Sequence, residues 1–330
     1  MGFFSIFKKN NNNSIKLIDK NNIKNEEIEL LKRINGNSID YEIPKYWNEY
    51  IHNIDLFIES MIKNNLLKIS TPKDNIKYLK VSELKVLLDK KSLDKKGKKN
   101  ILVERVKNNY SDKELESVIN VDKKYLLTTE GEEIVNSYTL NQDKLYNNLI
   151  VEVFDLIKEL QINKAYIKIA TYENNQIFKR GIGIDWSKEA RIGICKEQKD
   201  IYEEILRLES NNLNLAAMAI CGDLLGLNPI KTAKLYEDYI NANELKDISN
   251  DNLSQEINYM QAIVSIKRDL KNYLKSSTKK YEVMAFLDDN TCEICTKLNG
   301  KVFSCNKAKI GINCPPFHKS CRCCIVPYIE

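Results

Sequence analysis

Residues 281–330 read YEVMAFLDDNTCEICTKLNGKVFSCNKAKIGINCPPFHKSCRCCIVPYIE, and they hold seven of the nine cysteines and one of the two histidines. The spacing is Cys292-x2-Cys295, a gap, then His318-x2-Cys321-x-Cys323. Two pairs of soft ligands separated along the chain make the layout of a structural zinc site. A C-x-x-C turn faces two thiolates to one ion, and the distant pair closes the tetrahedron. A segment this short builds little apolar core, so a bound ion would hold it together. In zinc-finger peptides such binding is worth roughly 10–16 kcal/mol, most of it expressed as folding. The plainer alternative is a set of buried or incidental thiols with no metal.

Five groups, Cys292, Cys295, His318, Cys321 and Cys323, compete for four places. Cys292, Cys295 and Cys321 are the expected ligands, with His318 or Cys323 as the fourth. Cys305, Cys314 and Cys324 are surplus, either as spectators or as a second, weaker site. Nothing in the segment marks an open coordination position for catalysis, so a Zn2+ here is expected to be structural.

The run D-D-x-T-C-x-x-C-x-x-x-x-G-K-V-F, from Asp288 to Phe303, is followed by P-P-x-H-x-x-C-R-C, from Pro315 to Cys323. Together they resemble the C-terminal signature of phage head morphogenesis proteins, the minor head proteins related to the Mu F protein. The resemblance covers about the last fifty residues. It implies a structural role in capsid assembly, with portal, capsid and scaffold proteins as partners. It also implies residence in the host cytoplasm during assembly and, for relatives that stay in the particle, in the virion.

Residues 78–108 read YLKVSELKVLLDKKSLDKKGKKNILVERVKN. The apolar spacing gives a helix from about Val81 to Lys90, with Val81, Leu84 and Leu88 on one face. Ser92 to Gly97 makes a turn, and a second helix from about Lys98 to Lys107 turns Leu102 and Val106 inward. Residues 77–107 hold eleven basic and four acidic residues. Lysines around an exposed helix N-terminus make a phosphate site. The alternatives are a solvated lysine-rich surface and a protein-docking piece. The stretch resembles a SAP domain, a helix–loop–helix module that binds DNA. The residues that carry the match are Val81, Glu83, Leu84, Lys85, Leu88, Leu93, Gly97, Lys98, Lys99, Leu102, Arg105 and Val106. Lys80 stands where such modules often carry a Thr cap. Candidate contacts to double-stranded DNA are Lys85, Lys95, Lys96, Lys98, Lys99 and Arg105. Such contacts grip phosphates and read no bases, so salt-sensitive, weakly selective binding is expected.

The remainder of the 330 residues reads as mainly α and multidomain. The net charge of +5 is too small by itself to imply a nucleic-acid partner. No stretch approaches the roughly twenty apolar residues of a membrane span, so no membrane partner is expected. Met1 to Lys9 is apolar then basic, the reverse of a signal peptide; it reads as a frayed end or a short docking segment. Residues 10–25 read as a polar linker. A helical stretch is expected over about Glu26 to Leu67, with an apolar stripe through Trp47, Tyr50, Ile51, Ile54, Leu56, Ile58 and Ile62, and His52 upon it. Ser111 to Glu114 and Thr129 to Glu132 read as capping boxes, with a short strand between them at Lys124 to Thr128. Residues 136–144 form a polar boundary. In the middle, Tyr166 to Tyr172 and Gln176 to Gly181 suggest a β-hairpin. Helices are expected over about Lys188 to Leu208, Leu215 to Leu225, Asn228 to Ile240 and Ser254 to Leu274. The resulting division is 1–76 N-terminal helical region, 77–140 SAP-like module with an extension, 141–280 mostly helical middle, and 281–330 small β-rich zinc-stabilised tail.

Enzyme signatures are missing from this reading. Gly181-Ile-Gly183 lacks the third glycine of a dinucleotide loop, and Lys231-Thr232 lacks the preceding P-loop glycine. His52 is isolated and His318 is a metal candidate, so no nucleophile–His pair is visible. The expected function is that of a phage or prophage minor head protein, not an enzyme. The alternative is a SAP-type DNA-binding accessory or regulatory protein of a mobile element. A zinc-supported nuclease is the weakest option.

Overall fold

The computed structural model describes residues 23–119, 122–209, 212–242 and 252–329. The apolar-then-basic start and most of the polar linker lie outside the described residues. The chain divides into two units, Met1–Asp143 and Lys144–Glu330.

In the first unit, α1 (Asn25–Ile34) and α2 (Ile54–Lys63) pack with a short antiparallel pair, β1 (Leu67–Ile69) and β2 (Tyr125–Leu127). Leu30, Leu31, Ile34, Trp47, Met61, Leu66 and Leu67 form the core here. The expected single helical stretch is broken. Gly36 turns the chain out of α1, Lys45–Glu49 is a 3-10 turn, and Asn53 starts a new helix by accepting a bond from the Leu56 N–H at 3.0 Å. The apolar stripe read across that break mixes two elements, so Leu56 and Ile62 are exposed while Phe57, Ile58 and Met61 are buried. His52 is exposed in the break rather than on a helix.

A second cluster in this unit is built by Ile76 and Leu79, which follow α3 (Pro72–Asn75), with α4 (Val81–Lys90), α5 (Lys99–Asn109) and α6 (Asp112–Val118). Leu84, Leu87, Leu88, Leu102, Val103, Val106 and Leu115 are buried against one another. Leu87 takes the inward place expected of Val81, which is exposed. Ser111 caps α6 in the expected box: its Oγ accepts the Glu114 N–H, and the Glu114 carboxylate accepts the Ser111 N–H at 2.7 Å. The Lys73 N–H donates to Asp112 at 2.8 Å and ties α3 to α6.

The expected strand before α7 (Thr129–Lys158) is β2. The α7 cap is Thr128, one residue earlier than the sequence suggests; its Oγ1 accepts the Gly131 N–H at 3.1 Å. Gly131 is required by close approach, because a Cβ there would lie 2.0 Å from the Leu66 carbonyl oxygen. Residues 136–144, the expected polar boundary, are helical within α7, and the division between the two units falls among them, after Asp143. Their outward polar side chains solvate a helix face, which composition alone does not distinguish from a linker.

The second unit packs the end of α7 with α8 (Ile162–Asn174), α9 (Trp186–Ile192), α10 (Lys196–Leu208), α11 (Leu213–Leu224), α12 (Pro229–Ala242) and α13 (Leu253–Lys275). Residues Leu215 to Cys221 are all buried, as expected of a helix apolar all round. Asn228 caps α12, its Oδ1 accepting the Lys231 N–H at 2.9 Å. The expected β-hairpin is absent: Tyr166 to Tyr172 lie inside α8. Ile162, Ala165, Ile169, Ala170 and Glu173 form its buried face at helical spacing, and that spacing overrides the local β-like alternation. Residues 176–181 are a loop rather than a strand. The expected helix from Lys188 is two helices, parted at Gly193, whose φ is +76°.

The tail forms an antiparallel sheet in the order β4 (Val302–Ser304), β3 (Lys280–Met284), β5 (Cys324–Tyr328), with α14 (Glu293–Leu298) before β4. Tyr281 and Val283 alternate inward along β3 and pack with Ile325, Cys305, Cys314 and Ile266 of α13. The Tyr273 hydroxyl donates to the Ile325 carbonyl at 3.2 Å. The sheet therefore shares its core with α13. No described helix is long and apolar enough to cross a membrane.

Candidate metal centre and nucleic-acid interface

Two loops meet at the end of the tail. The first is set by Asp288 and Thr291: the Asp288 N–H donates to Thr291 Oγ1 at 2.9 Å, and the Thr291 N–H donates to the Asp288 carbonyl at 3.0 Å. That turn delivers Cys292 to the N-cap of α14, where its sulfur accepts the Cys295 N–H at 3.5 Å. The second loop carries His318, Cys321 and Cys323. The Cys321 N–H closes a turn on the His318 carbonyl at 3.0 Å, and Lys319 pairs with Glu256 of α13.

The structure brings all five candidates together. His318 Nε2 lies 3.2 Å from Cys292 Sγ and 3.3 Å from Cys295 Sγ, and Cys295 Sγ lies 3.8 Å from Cys321 Sγ. Two groups of three could hold an ion, Cys292–Cys295–His318 and Cys295–Cys321–Cys323, and Cys295 belongs to both. In a tetrahedral zinc site with Zn–S near 2.3 Å, neighbouring sulfurs sit about 3.8 Å apart and a nitrogen about 3.5 Å from a sulfur. The donor spacing fits such an ion. Burial and neighbouring sulfurs raise the Cys295 thiol, and burial raises Cys323 to about 11. The Cys295 N–H lowers Cys292. A divalent cation is the group that would let crowded, half-buried sulfurs ionise side by side.

The surplus cysteines sit elsewhere. Cys305 and Cys314 belong to the apolar core under the sheet, and Cys324 is exposed at the start of β5. Among the described residues no further group of metal donors accompanies them. Sequence spacing missed Arg322. Its guanidinium binds Asp288 through two nitrogens at 2.7 and 2.5 Å and lies over the Phe286 ring. Its place between two candidate ligands was the available signal.

In the helix–loop–helix, the first turn of α4 is half capped. The Lys80 N–H donates to Glu83 at 2.6 Å, while the Lys80 side chain offers no acceptor for the return bond. The turn at residues 92–98 needs Gly97, whose φ is +127° and where a Cβ would meet Ile101 at 3.2 Å. Lys96, Lys98 and Lys99 project from it, exposed and without an ion pair among the described residues. Lys95 is exposed but pairs with Asp89 at 2.5 Å. Lys85 is exposed and unpaired one helical turn before Asp89, on the same side of α4. Arg105 is turned onto the loop, where it donates to the Asp94 and Lys96 carbonyls.

Residues 230–326 match the family described as Phage Mu protein F like protein. The Mu F-like segment reaches back beyond the fifty residues that carry the motif. It takes in nearly all of α12 and all of α13, whose Ile266 lies in the core under the sheet. Residues 75–111 match the SAP domain, which begins at the α3 end and closes at the Ser111 cap of α6. No curated protein and no solved structure matches the chain.

Proposed function

We propose that this protein is a minor head protein of a phage or prophage, with a structural rather than enzymatic role in head assembly. The observation that carries the reading is the meeting of five metal donors within a segment that matches the Mu F-like family. One structural Zn2+ would be held by Cys292, Cys295 and His318, with Cys321 or Cys323 as the fourth ligand. It would lock the two loops over the sheet. The partners are portal and capsid or scaffold proteins, met in the host cytoplasm during assembly and carried into the virion. Protein mass spectrometry of assembled particles tests this. Peptides of this chain beside portal and capsid proteins are expected, and their absence from purified particles counts against it.

The SAP-matching helices favour a DNA contact as part of the same role. Lys85, Lys96, Lys98 and Lys99 would face phosphates, joined by Lys95 once it leaves Asp89, and the first free N–H groups of α5 would add to them. The second reading, a DNA-binding accessory protein of a mobile element, rests on this surface. It gains if the purified chain binds duplex DNA with a steep salt dependence and yet is absent from particles.

A further inference from the structure

Arg105 has the charge of a phosphate contact but not the freedom of one. Its Nη1 donates to the Lys96 carbonyl at 3.1 Å and also to the Asp94 carbonyl. Its Nη2 lies 3.4 Å from the Asp94 carboxylate. An Nη1 group has two hydrogens, and both are engaged on the main chain of one turn. The side chain is only about a quarter exposed, at 25%. The other end of Asp94 is used as well, for its Oδ1 accepts the Lys96 N–H at 3.0 Å. Asp94 and Arg105 thus close a small lattice over the turn, and the lattice includes the main chain of Lys96.

The turn needs such a brace. Lys95, Lys96, Lys98 and Lys99 stand within five residues and repel one another. Gly97 at φ +127° adds chain entropy that must be lost when the turn is ordered. A guanidinium suits the task because its planar fork holds two carbonyls in fixed relation, which an ammonium does not.

We propose that Arg105 is a positioning residue for the nucleic-acid surface: it orders the turn from Asp94 to Lys98 so that Lys96, Lys98 and Lys99 meet successive phosphates, and makes no phosphate contact itself. This rests on the reading that the module binds DNA.

The test uses the full chain and a mixed-sequence duplex of about 25 base pairs. Anisotropy is read over a salt series, beside amide exchange of residues 94–98 without DNA. Each phosphate contact contributes about 0.9 to the slope of log affinity against log salt. Arg105→Gln is expected to weaken binding roughly tenfold with an unchanged slope, and to speed exchange in the turn. Arg105→Lys, which keeps the charge, is expected to behave like Arg105→Gln. Lys98→Ala with Lys99→Ala is expected to lower the slope by about 1.8 while exchange stays as in the parent chain. A slope lowered by about 0.9 in Arg105→Gln and restored in Arg105→Lys makes Arg105 a phosphate contact and overturns the proposal. Unchanged exchange in Arg105→Gln overturns it too, whether or not DNA binds. If the parent chain fails to bind duplex at low salt while exchange in Arg105→Gln rises, the brace stands and the DNA reading falls.

Discussion

Arg322 and Asp288, 34 residues apart, join the two halves of the donor cluster through paired bonds of 2.7 and 2.5 Å. Asp288 opens the turn that ends in Cys292, and Arg322 lies between Cys321 and Cys323. The pair therefore holds the two candidate-donor loops in register from outside the donor set. Bidentate charge-assisted pairs of this kind fix geometry as well as adding energy.

Arg322→Gln should leave the sheet folded but loosen the centre, with zinc lost to a chelator roughly ten times faster than from the parent chain. Arg322→Lys should rescue little, because an ammonium cannot fork onto both oxygens. Chelator-competition kinetics at neutral pH measure this; identical rates for all three chains would show that the pair is incidental. The pair also sets a sign for pH. The Arg322 guanidinium holds the Asp288 carboxyl well below its ordinary range. Its contribution is thus full above the unfolded value, about 3.9, and fades only as pH falls towards the lower folded value.

Cys292→Ser and Cys295→Ser should each release the ion and open the tail to protease while the helices of the second unit survive. Elemental analysis beside limited proteolysis reads both effects. Cys321→Ser and Cys323→Ser compared directly identify the fourth ligand, since only one should lose stoichiometric zinc. Cys324→Ser should retain it. Parent-like zinc in both Cys292→Ser and Cys295→Ser would remove the ligand assignment.

Ile266→Ala should destabilise the tail by about 2–4 kcal/mol, although Ile266 lies outside the fifty residues that carry the motif. Ile266 is buried among Tyr281, Val283 and Ile325. Denaturant unfolding gives the size. Faster amide exchange concentrated in β3 and β5 gives the place, and exchange that rises only in α11 and α12 would contradict the shared core.

The helix–loop–helix should loosen in acid. The Glu114 carboxyl is pulled down to about 2, chiefly by the Lys91 ammonium and also by the Ser111 N–H and hydroxyl. A depressed carboxylate stabilises above its unfolded value and is lost as pH falls through the folded one. Between about pH 4.5 and 2, the protection of α6 amides relative to their intrinsic exchange at each pH should fall. Glu114→Gln should abolish that pH dependence, and an unchanged profile in this variant would exclude Glu114 as its source.

Much of the site was legible because its signals are local. The Cys292-x2-Cys295 turn, the His318 to Cys323 run, the Ser111 box and the Asn228-Pro229 start each lie within a few residues, where chain geometry leaves few options. The failures also have a physical cause. Tyr166 to Tyr172 alternates like a strand, yet the face it buries is helical and is chosen by packing around Ile169. The stripe through Trp47 and Ile62 spans a break that Asn53 creates.

By itself the amino-acid sequence determined which donors exist, at what spacing, and where the lysines crowd around Gly97. Only the tertiary structure decided that all five donors converge, that Arg322 clasps Asp288, that α13 completes the tail, and that Arg105 bends onto its own turn. Those relationships join residues far apart in the chain, and their energies come from burial and geometry that exist only after the segments have met.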